Sequence, residues 1–233
     1  MGATATTDRF GTANMAMSFD GVGNLIDFGS VQTYANTGAA FSFVAWFYLN
    51  DFNPNVYPKI ATLKSNSSGP FEITVSNSTN YLGVLIGSGS TWGRFKTDTA
   101  ANLMIASWRQ VVIVYNGSGA STITNFKVYL DGVSQSLSAA SGFSVLTNAT
   151  SVGKPTGGGS SNSWEGKVDE VKIFNRALTA AEILSMYNHE KGKFSVGKDG
   201  TMRALQFVED PTLPVQMRSK KQSLTVKGQL IEQ

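Results

Sequence analysis

The sequence lacks cysteine altogether and has a single histidine among its 233 residues. Without cysteine there are no disulfides, no thiolate nucleophiles and no cysteine zinc sites. A Ser-His-Asp triad would have to use His189, and a metal site with several histidines is excluded. His189 stands near the end of a predicted helix, where a cation favours the helix dipole. We therefore predict a structural role for it.

Charged residues and long apolar runs are also scarce. Only 15% of the residues are charged, and no apolar run approaches the ~20 residues that a membrane span needs. The start, MGATATTDRF, has neither the basic nor the apolar part of a secretory signal. We therefore expect either a chain used without ordinary secretion or one whose signal has been removed, and no membrane insertion.

Glycine, serine, threonine and asparagine are abundant, and the apolar runs are short. Turn dipeptides such as Asn116-Gly117 and Asp131-Gly132 separate these runs. This composition predicts many strands joined by turns and few helices. The net charge of +3 lies in residues 190–233, which hold eight Lys or Arg and five Asp or Glu. Because acids and apolar residues interrupt the basic ones, the segment is not a nucleic-acid arm.

The most informative stretch is WEGKVDEVKIFNRALTAAEILSMYN, residues 164–188. Thr179 and Glu182 form a T-x-x-E capping box, which predicts a helix beginning near Ala180. Residues 168–174 before it have strand composition, with Val171 and Ile173 on one face. The segment predicts a strand, a turn and a helix in succession.

This stretch resembles the closing segment of laminin-G-like, concanavalin A-like jelly-roll domains, whose pattern is F-x-G-x-I-D-E-V-R-I-Y-N-R-A-L-S-x-x-E-I. Upstream, TTDRFGTANMAMSFDGVGNLIDFG, FSFVAWFYL, WRQVVIVYNG and NFKVYLDG resemble earlier strands of that family. The resemblance covers about residues 6–188. It implies an all-β fold: a two-sheet antiparallel jelly-roll sandwich with one short C-terminal helix, followed by a β-rich tail.

We accordingly divide the chain into a sandwich, residues 1–190, and a C-terminal tail, residues 191–233. The sandwich should bury alternate residues of its central strands. The expected core residues are Phe43, Ala45, Phe47, Val112, Val114, Val128, Leu130, Val171 and Ile173.

Aromatic residues amid glycine and serine are the candidates for ligand binding. Trp92 lies in GSGSTWGRF and Trp164 in GGGSSNSW, both predicted to be rim loops. Either ring can stack on a sugar, with Arg94 supplying hydrogen bonds, or fold back over the edge of the core. Trp46 and Trp108 fall in predicted strands, so we expect them in the core.

Asp169 shares the parity of Val171 and Ile173, so it is expected to face inward. A buried carboxylate needs a hydrogen-bonded or charged partner. One interpretation is a structural hydrogen-bonded aspartate. The other is a calcium site, because the resemblance implies a calcium near this segment, held by Asp169 and Asp20 with backbone carbonyls and water.

Catalytic carboxylates do not fit the pattern of related glucanases. Those enzymes place E-x-D-x-x-E on one strand, so that alternating acids face one cleft. Here Asp169 and Glu170 are adjacent and should point to opposite faces, while Glu165 lies beyond Gly166. We therefore predict that the protein is not an enzyme, with a glycoside hydrolase the disfavoured alternative.

The tail carries an internal repeat in which residues 194–209 align with 217–232. Both units alternate apolar and polar residues, which predicts two hairpins that either pack on the sandwich or pair with another subunit. The tail resembles short C-terminal segments of bacteriophage structural proteins. We predict a structural or adhesive protein on a virion surface, homo-oligomeric through the tail, with glycans as candidate ligands. The alternative is an extracellular carbohydrate-binding module of a secreted bacterial protein.

Overall fold

A computed structural model describes most of the chain. The described residues are 3–22, 24, 26, 40–50, 58–64, 71–75, 82–88, 91–98, 106–117, 120–121, 123–140, 146–147, 164–192, 194–196, 202–204, 223–224 and 230–231. By its internal contacts the chain divides into two compact units, Met1–Leu178 and Thr179–Gln233. The helix therefore groups with the tail, whereas the sequence had suggested a boundary at residue 190.

The first unit is built from antiparallel strands. In chain order they are β1 Thr4–Thr6, β2 Ala16–Asp20, β3 Phe41–Leu49, β4 Lys59–Lys64, β5 Phe71–Val75, β6 Leu82–Ser88, β7 Thr91–Thr97, β8 Trp108–Tyr115, β9 Ala120–Ser121, β10 Phe126–Leu130, β11 Val133–Gln135, β12 Leu137–Ala140, β13 Leu146–Thr147 and β14 Glu165–Phe174, with a 3-10 turn at Ile123–Asn125. A seven-stranded sheet has the order β1-β2-β14-β3-β8-β10-β11, and a five-stranded sheet has the order β12-β7-β6-β5-β4. The short strands β9 and β13 pair separately. The predicted all-β sandwich is confirmed.

The two sheets enclose one hydrophobic core. Phe43 and Phe47 of the first sheet belong to the same buried cluster as Ile73 and Phe95 of the second. Strand β3 is apolar at nearly every position, because its other face is buried as well: Val44 has no exposed surface. A strand buried on both faces reads as a continuous apolar run, which explains FSFVAWFYL.

The expected core residues are largely confirmed, with two corrections. Phe43, Ala45, Phe47, Val112, Val114, Val128 and Leu130 are buried. Val171 and Ile173 are only partly buried, although both pack against the core. Val112 pairs with Val44 and Val114 with Ser42, so alternation places both on the face of the seven-stranded sheet that points away from the sandwich core.

The second unit begins with the predicted helix α1, Ala180–Glu190. Thr179 accepts a hydrogen bond from the Glu182 backbone N–H, and the Glu182 side chain accepts one from Thr179, so the capping box is confirmed. Two hairpins follow, β15 Phe194–Val196 with β16 Met202–Ala204, and β17 Ser223–Leu224 with β18 Leu230–Ile231. The two hairpins do not follow the sequence repeat. The repeat aligns residue 194 with residue 217, whereas the second hairpin begins at Ser223. Among the described residues, no helix has the length and apolar character to cross a membrane.

Candidate functional site

A bulge in β14 decides where its acidic residues point. Asp169 pairs with Trp46 and Lys172 with Val44, so β14 carries one residue more than β3 over this interval. Glu170 takes φ +46°, which is rare for a residue with a side chain. The extra residue reverses the alternation, so Asp169 lies with Trp46 on the outer face. The expectation of an inward Asp169, based on the parity of Val171, is therefore wrong.

Both acids of this bulge bind one arginine. Arg9 Nη1 lies 2.6 Å from Asp169 Oδ2, and Arg9 Nη2 lies 2.7 Å from Glu170 Oε1. The other Glu170 oxygen, Oε2, lies 2.6 Å from Lys172 Nζ. The expectation that the adjacent acids point apart is thus also wrong, because the bulge lets both carboxylates reach the same guanidinium. We call Arg9, Asp169, Glu170 and Lys172 the arginine clamp.

A turn and two aromatic rings hold Arg9 in the position that its ion pairs require. The Asp8 carboxylate accepts hydrogen bonds from the backbone N–H groups of Phe10 and Thr12, both at 2.8 Å, and so closes a tight turn around Arg9. The guanidinium lies 4.4 Å from the ring centroid of Phe10 and 4.6 Å from that of Trp46. Only 4% of the Arg9 side chain is exposed. Stacking and ion pairing together satisfy a buried cation.

The clamp gives its two carboxyl groups opposite environments. Burial raises the pKa of Asp169, an effect that the charge of Arg9 only partly offsets. Burial also acts to raise the pKa of Glu170, but hydrogen bonds and charge from Lys172 and Arg9 outweigh it and hold this pKa below its ordinary value. Neighbouring residues of one strand therefore titrate in different ranges.

We expect carbon-detected NMR to show Asp169 titrating above the ordinary range of an aspartate and Glu170 below that of a glutamate. The stabilising contribution of Glu170 is then present above its unfolded-state pKa and lost as pH falls through its folded-state pKa. The contribution of Asp169 has the opposite sign: it is full below the unfolded-state pKa and lost as pH rises through the folded-state pKa. A Glu170 pKa above that of Asp169 would contradict this arrangement.

The structure does not bring Asp20 and Asp169 together. Asp20 lies opposite Glu165 on β14, four residues from Asp169, a distance of about 13 Å along a strand. Asp20 is exposed and accepts from the Val22 backbone N–H at 2.9 Å, whereas Asp169 binds Arg9. Within the described part of the chain, no group of three or more His, Cys, Asp or Glu residues is placed to hold a metal. Calcium binding as such stays a prediction, which a thermal melt with and without chelator tests.

Trp164 lies in the core and not on the surface. Its side chain has no exposed surface, and its ring lies edge-on to Phe47 with the centroids 5.8 Å apart. It immediately precedes β14, and the glycine-rich stretch before it lies outside the described residues. The alternative left open by the sequence, an aromatic ring turned toward the core, is the one that the structure shows. Trp108, which was expected in the core, is instead only half-buried.

Trp92 and Arg94 lie within strand β7 and not on a rim loop. Trp92 pairs with Gly87 and Arg94 with Leu85, both on β6. Their side chains lie outside the described part of the structure. Phe95 is fully buried in the core, so alternation places positions 92 and 94 on the outer face of the five-stranded sheet.

That outer face carries polar side chains. Glu72 and Thr74 alternate with core-facing Ile73, and Lys59 Nζ lies 2.9 Å from Glu72 Oε1. Lys96 pairs with Gly83, which in turn pairs with Thr74. A cationic group, Lys96, therefore lies on the same strand as positions 92 and 94, and the anionic and hydroxyl groups lie on β5, with β6 between. The described side chains of this set donate and accept hydrogen bonds, and Glu72 is the one carboxylate among them.

Comparison with solved structures finds similar sandwiches at low sequence identity. A CBM40 domain of the Ruminococcus gnavus IT-sialidase, bound to α2,3-sialyllactose, is 12% identical with a TM-score of 0.53, covering 74% of this chain and 96% of that one. Domain 4 of a GH43 extracellular arabinanase from Geobacillus stearothermophilus, in complex with arabinotriose, is 17% identical with a TM-score of 0.53, covering 79% and 80%.

The botulinum neurotoxin serotype D binding domain is 12% identical with a TM-score of 0.59, covering 82% of this chain and 46% of that one. This chain thus spans about half of the neurotoxin fragment. No curated protein matches the sequence. The family model of the concanavalin A-like lectin/glucanases superfamily matches residues 20–184. The chain belongs to that superfamily.

Proposed function

We propose that the protein is a non-enzymatic, lectin-like module that binds glycans on the outer face of its five-stranded sheet. The observation that carries the proposal is the polar outer face of this sheet, where Lys96 lies on β7 with positions 92 and 94, and the buried Glu72 and Thr74 lie on β5, across the intervening β6. Sugar sites combine aromatic rings with a few hydrogen-bonding groups of both kinds. Trp92 is proposed as the stacking residue and Arg94 as a donor.

The arginine clamp supports the non-catalytic part of this proposal. Glycosidases of the usual type need one carboxyl group to donate a proton and a second to attack or activate water. Asp169 and Glu170 are the adjacent acids of the closing strand, and both are bound by Arg9. The related CBM40 and arabinanase domains are in complex with sugars, and we extend that ligand class, without a named sugar, to this chain.

The Trp92→Ala variant should lose most of the glycan affinity of the five-stranded sheet. Removal of an aromatic stacking partner commonly costs about 1–2 kcal/mol, or roughly tenfold in Kd. Isothermal titration against soluble oligosaccharides measures the loss for Trp92→Ala and Arg94→Ala. The matched control is Met15→Ala, because Met15 is 64% exposed and precedes β2 of the other sheet. Equal affinity in Trp92→Ala, Arg94→Ala and the control would remove this face as the site.

We further propose that the module works as an adhesive or structural component of a virion surface, attached through its tail. The two tail hairpins, β15–β16 and β17–β18, provide short antiparallel strands. Strand edges of this kind bind a neighbouring chain through backbone hydrogen bonds. The alternative is the same glycan-binding module in a secreted bacterial protein. Capsid and tail genes beside the coding sequence favour the first, and genes for polysaccharide-degrading enzymes favour the second.

Removing residues 193–233 should leave a folded monomer, while the full chain forms oligomers. The reason is that the first unit contains the whole sandwich core, so the tail is expected to act mainly between chains. Light scattering measures the mass of both proteins, and circular dichroism checks the fold of the shorter one. A monomeric full chain together with an unfolded shorter chain would contradict the assembly role.

A further inference from the structure

An aromatic row crosses the outer face of the seven-stranded sheet. Lys167 on β14 pairs with Tyr48 on β3, and Tyr48 pairs with Trp108 on β8. The Tyr48 and Trp108 ring centroids are 5.6 Å apart at 61°, and Lys167 Nζ lies 5.0 Å from the Tyr48 centroid. All three residues are half-buried. Ser18 on β2 pairs with Lys167 and completes the row, which is about 14 Å long at ~4.8 Å per strand.

Polar residues flank the aromatic row on one side, and the arginine clamp flanks it on the other. Two positions toward the strand ends, Asp20 and Glu165 pair with each other, and the Asn50 backbone N–H donates to the Glu165 carbonyl. Two positions the other way, Trp46 is covered by the Arg9 guanidinium. The half-buried aromatic surface therefore lies between the Asp20–Glu165 pair and the arginine clamp.

We propose that Tyr48 and Trp108 form a second binding surface, for a short neutral carbohydrate chain. Aromatic rings stack on the C–H faces of sugar rings, and their polar neighbours bind the hydroxyl groups. Lys167 donates hydrogen bonds, whereas Asp20 and Glu165 accept them. The surface is on the sheet opposite Trp92, so it is independent of the function proposed above.

The charged residues around the aromatic row indicate which class of ligand this surface binds. Lys167 already occupies the cation position over Tyr48, so a quaternary ammonium ligand would meet a like charge there. A polyanion would meet Asp20 and Glu165. A neutral sugar matches both signs, because each hydroxyl donates and accepts. The 61° angle between the rings fits a curved soluble chain, since two rings so inclined cannot both lie flat on the planar surface of a crystalline polymer.

The experiment titrates the full chain with soluble neutral glucan, mannan, galactan and xylan oligosaccharides, with choline and heparin as charged probes. At least one neutral oligosaccharide should bind, with about tenfold weaker binding in Trp108→Ala and in Tyr48→Ala. Trp108→Phe keeps an aromatic face and should stay within about threefold. In a Trp92→Phe background, binding should also change the fluorescence of Trp108, because the two other tryptophans, Trp46 and Trp164, are buried.

The matched control is Tyr187→Ala on helix α1. Tyr187 is also half-exposed with a lysine over its ring, Lys191 Nζ at 5.3 Å, but it lies on a helix and not in the aromatic row. Its removal should leave affinity unchanged. If Trp108→Ala fails to fold, Lys167→Ala replaces it and should weaken binding by about threefold through a lost hydrogen bond.

The proposal is overturned if no neutral oligosaccharide binds at millimolar concentration, or if choline or heparin binds instead. It is also overturned if glycan binding is lost in Trp92→Ala and unchanged in Trp108→Ala and Tyr48→Ala, an outcome that would leave the first function intact. Loss in the row variants with no effect of Trp92→Ala would support this second surface and remove the first.

Discussion

The Arg9→Ala variant should lose about 3–5 kcal/mol of the free energy of unfolding at neutral pH. Arg9 is the partner of Asp169, whose side chain is 7% exposed, and it also binds Glu170. Its removal leaves a buried carboxylate without its cation and uncovers one face of the Trp46 indole. Urea denaturation followed by intrinsic fluorescence measures the loss.

Lys172→Ala is the matched control for this prediction. Lys172 binds the same Glu170, but the two side chains are 29% and 33% exposed, so solvent screens the pair. Its removal should cost no more than about 1 kcal/mol. Arg9→Lys should be intermediate, because one ammonium group cannot bridge two carboxylates as a guanidinium does. An Arg9→Ala loss no larger than that of Lys172→Ala would show that the arginine clamp contributes little to stability.

Gly166→Ala should destabilise the protein by more than about 4 kcal/mol or prevent folding. A Cβ at this position would lie 2.0 Å from the Tyr48 carbonyl oxygen and 3.0 Å from Trp164 Nε1. The backbone φ of +154° is also one that side chains disfavour. Relief would require β14 to move away from β3, and their pairing holds the centre of the seven-stranded sheet. Thermal unfolding by circular dichroism measures the effect.

Gly11→Ala separates backbone strain from the steric clash. Gly11 has φ +78°, but a Cβ there meets no atom within 4 Å. Its replacement should therefore cost only the left-handed conformation, about 1–2 kcal/mol. If both glycine variants melt at the same temperature, the close approach of β14 to Tyr48 does not limit stability.

The parts of the structure that the sequence predicts are those set by local patterns. Thr179 and Glu182 are three residues apart, and their reciprocal hydrogen bonds require only the first turn of the helix. The strand 41–49 likewise follows from its own composition. Both features depend on residues that are neighbours in the chain, so their spacing carries the information.

The features that the sequence does not predict depend on long-range contacts or on unusual backbone. Arg9 and Asp169 are 160 positions apart, and nothing in either segment identifies the other as its partner. The reversal at Asp169 follows from a positive φ at Glu170, where no glycine or asparagine signals it. A strict period of two therefore assigns the wrong face beyond the bulge.

For a physical reason, the sequence left the burial of Trp164 open and misjudged that of Trp108. Trp164 follows glycine and serine residues, a composition typical of surface loops, yet its ring packs on Phe47 in the core. Trp108 stands in a strand, but near the end of the sheet and on its outer face, so it remains half-exposed. Composition indicates strand or loop, whereas exposure depends on which face and which end of the sheet a residue occupies.

One calorimetric titration tests the central claim that this superfamily member binds glycans without cleaving them. Soluble neutral and sialylated oligosaccharides are injected in turn into the 233-residue protein, and the heat is followed well beyond saturation. We expect saturable heat for at least one glycan, followed by a flat baseline, because Arg9 engages both acids of the bulge. Continuous heat release with shortened sugars in the product would show hydrolysis, and no heat from any glycan would contradict the binding function itself.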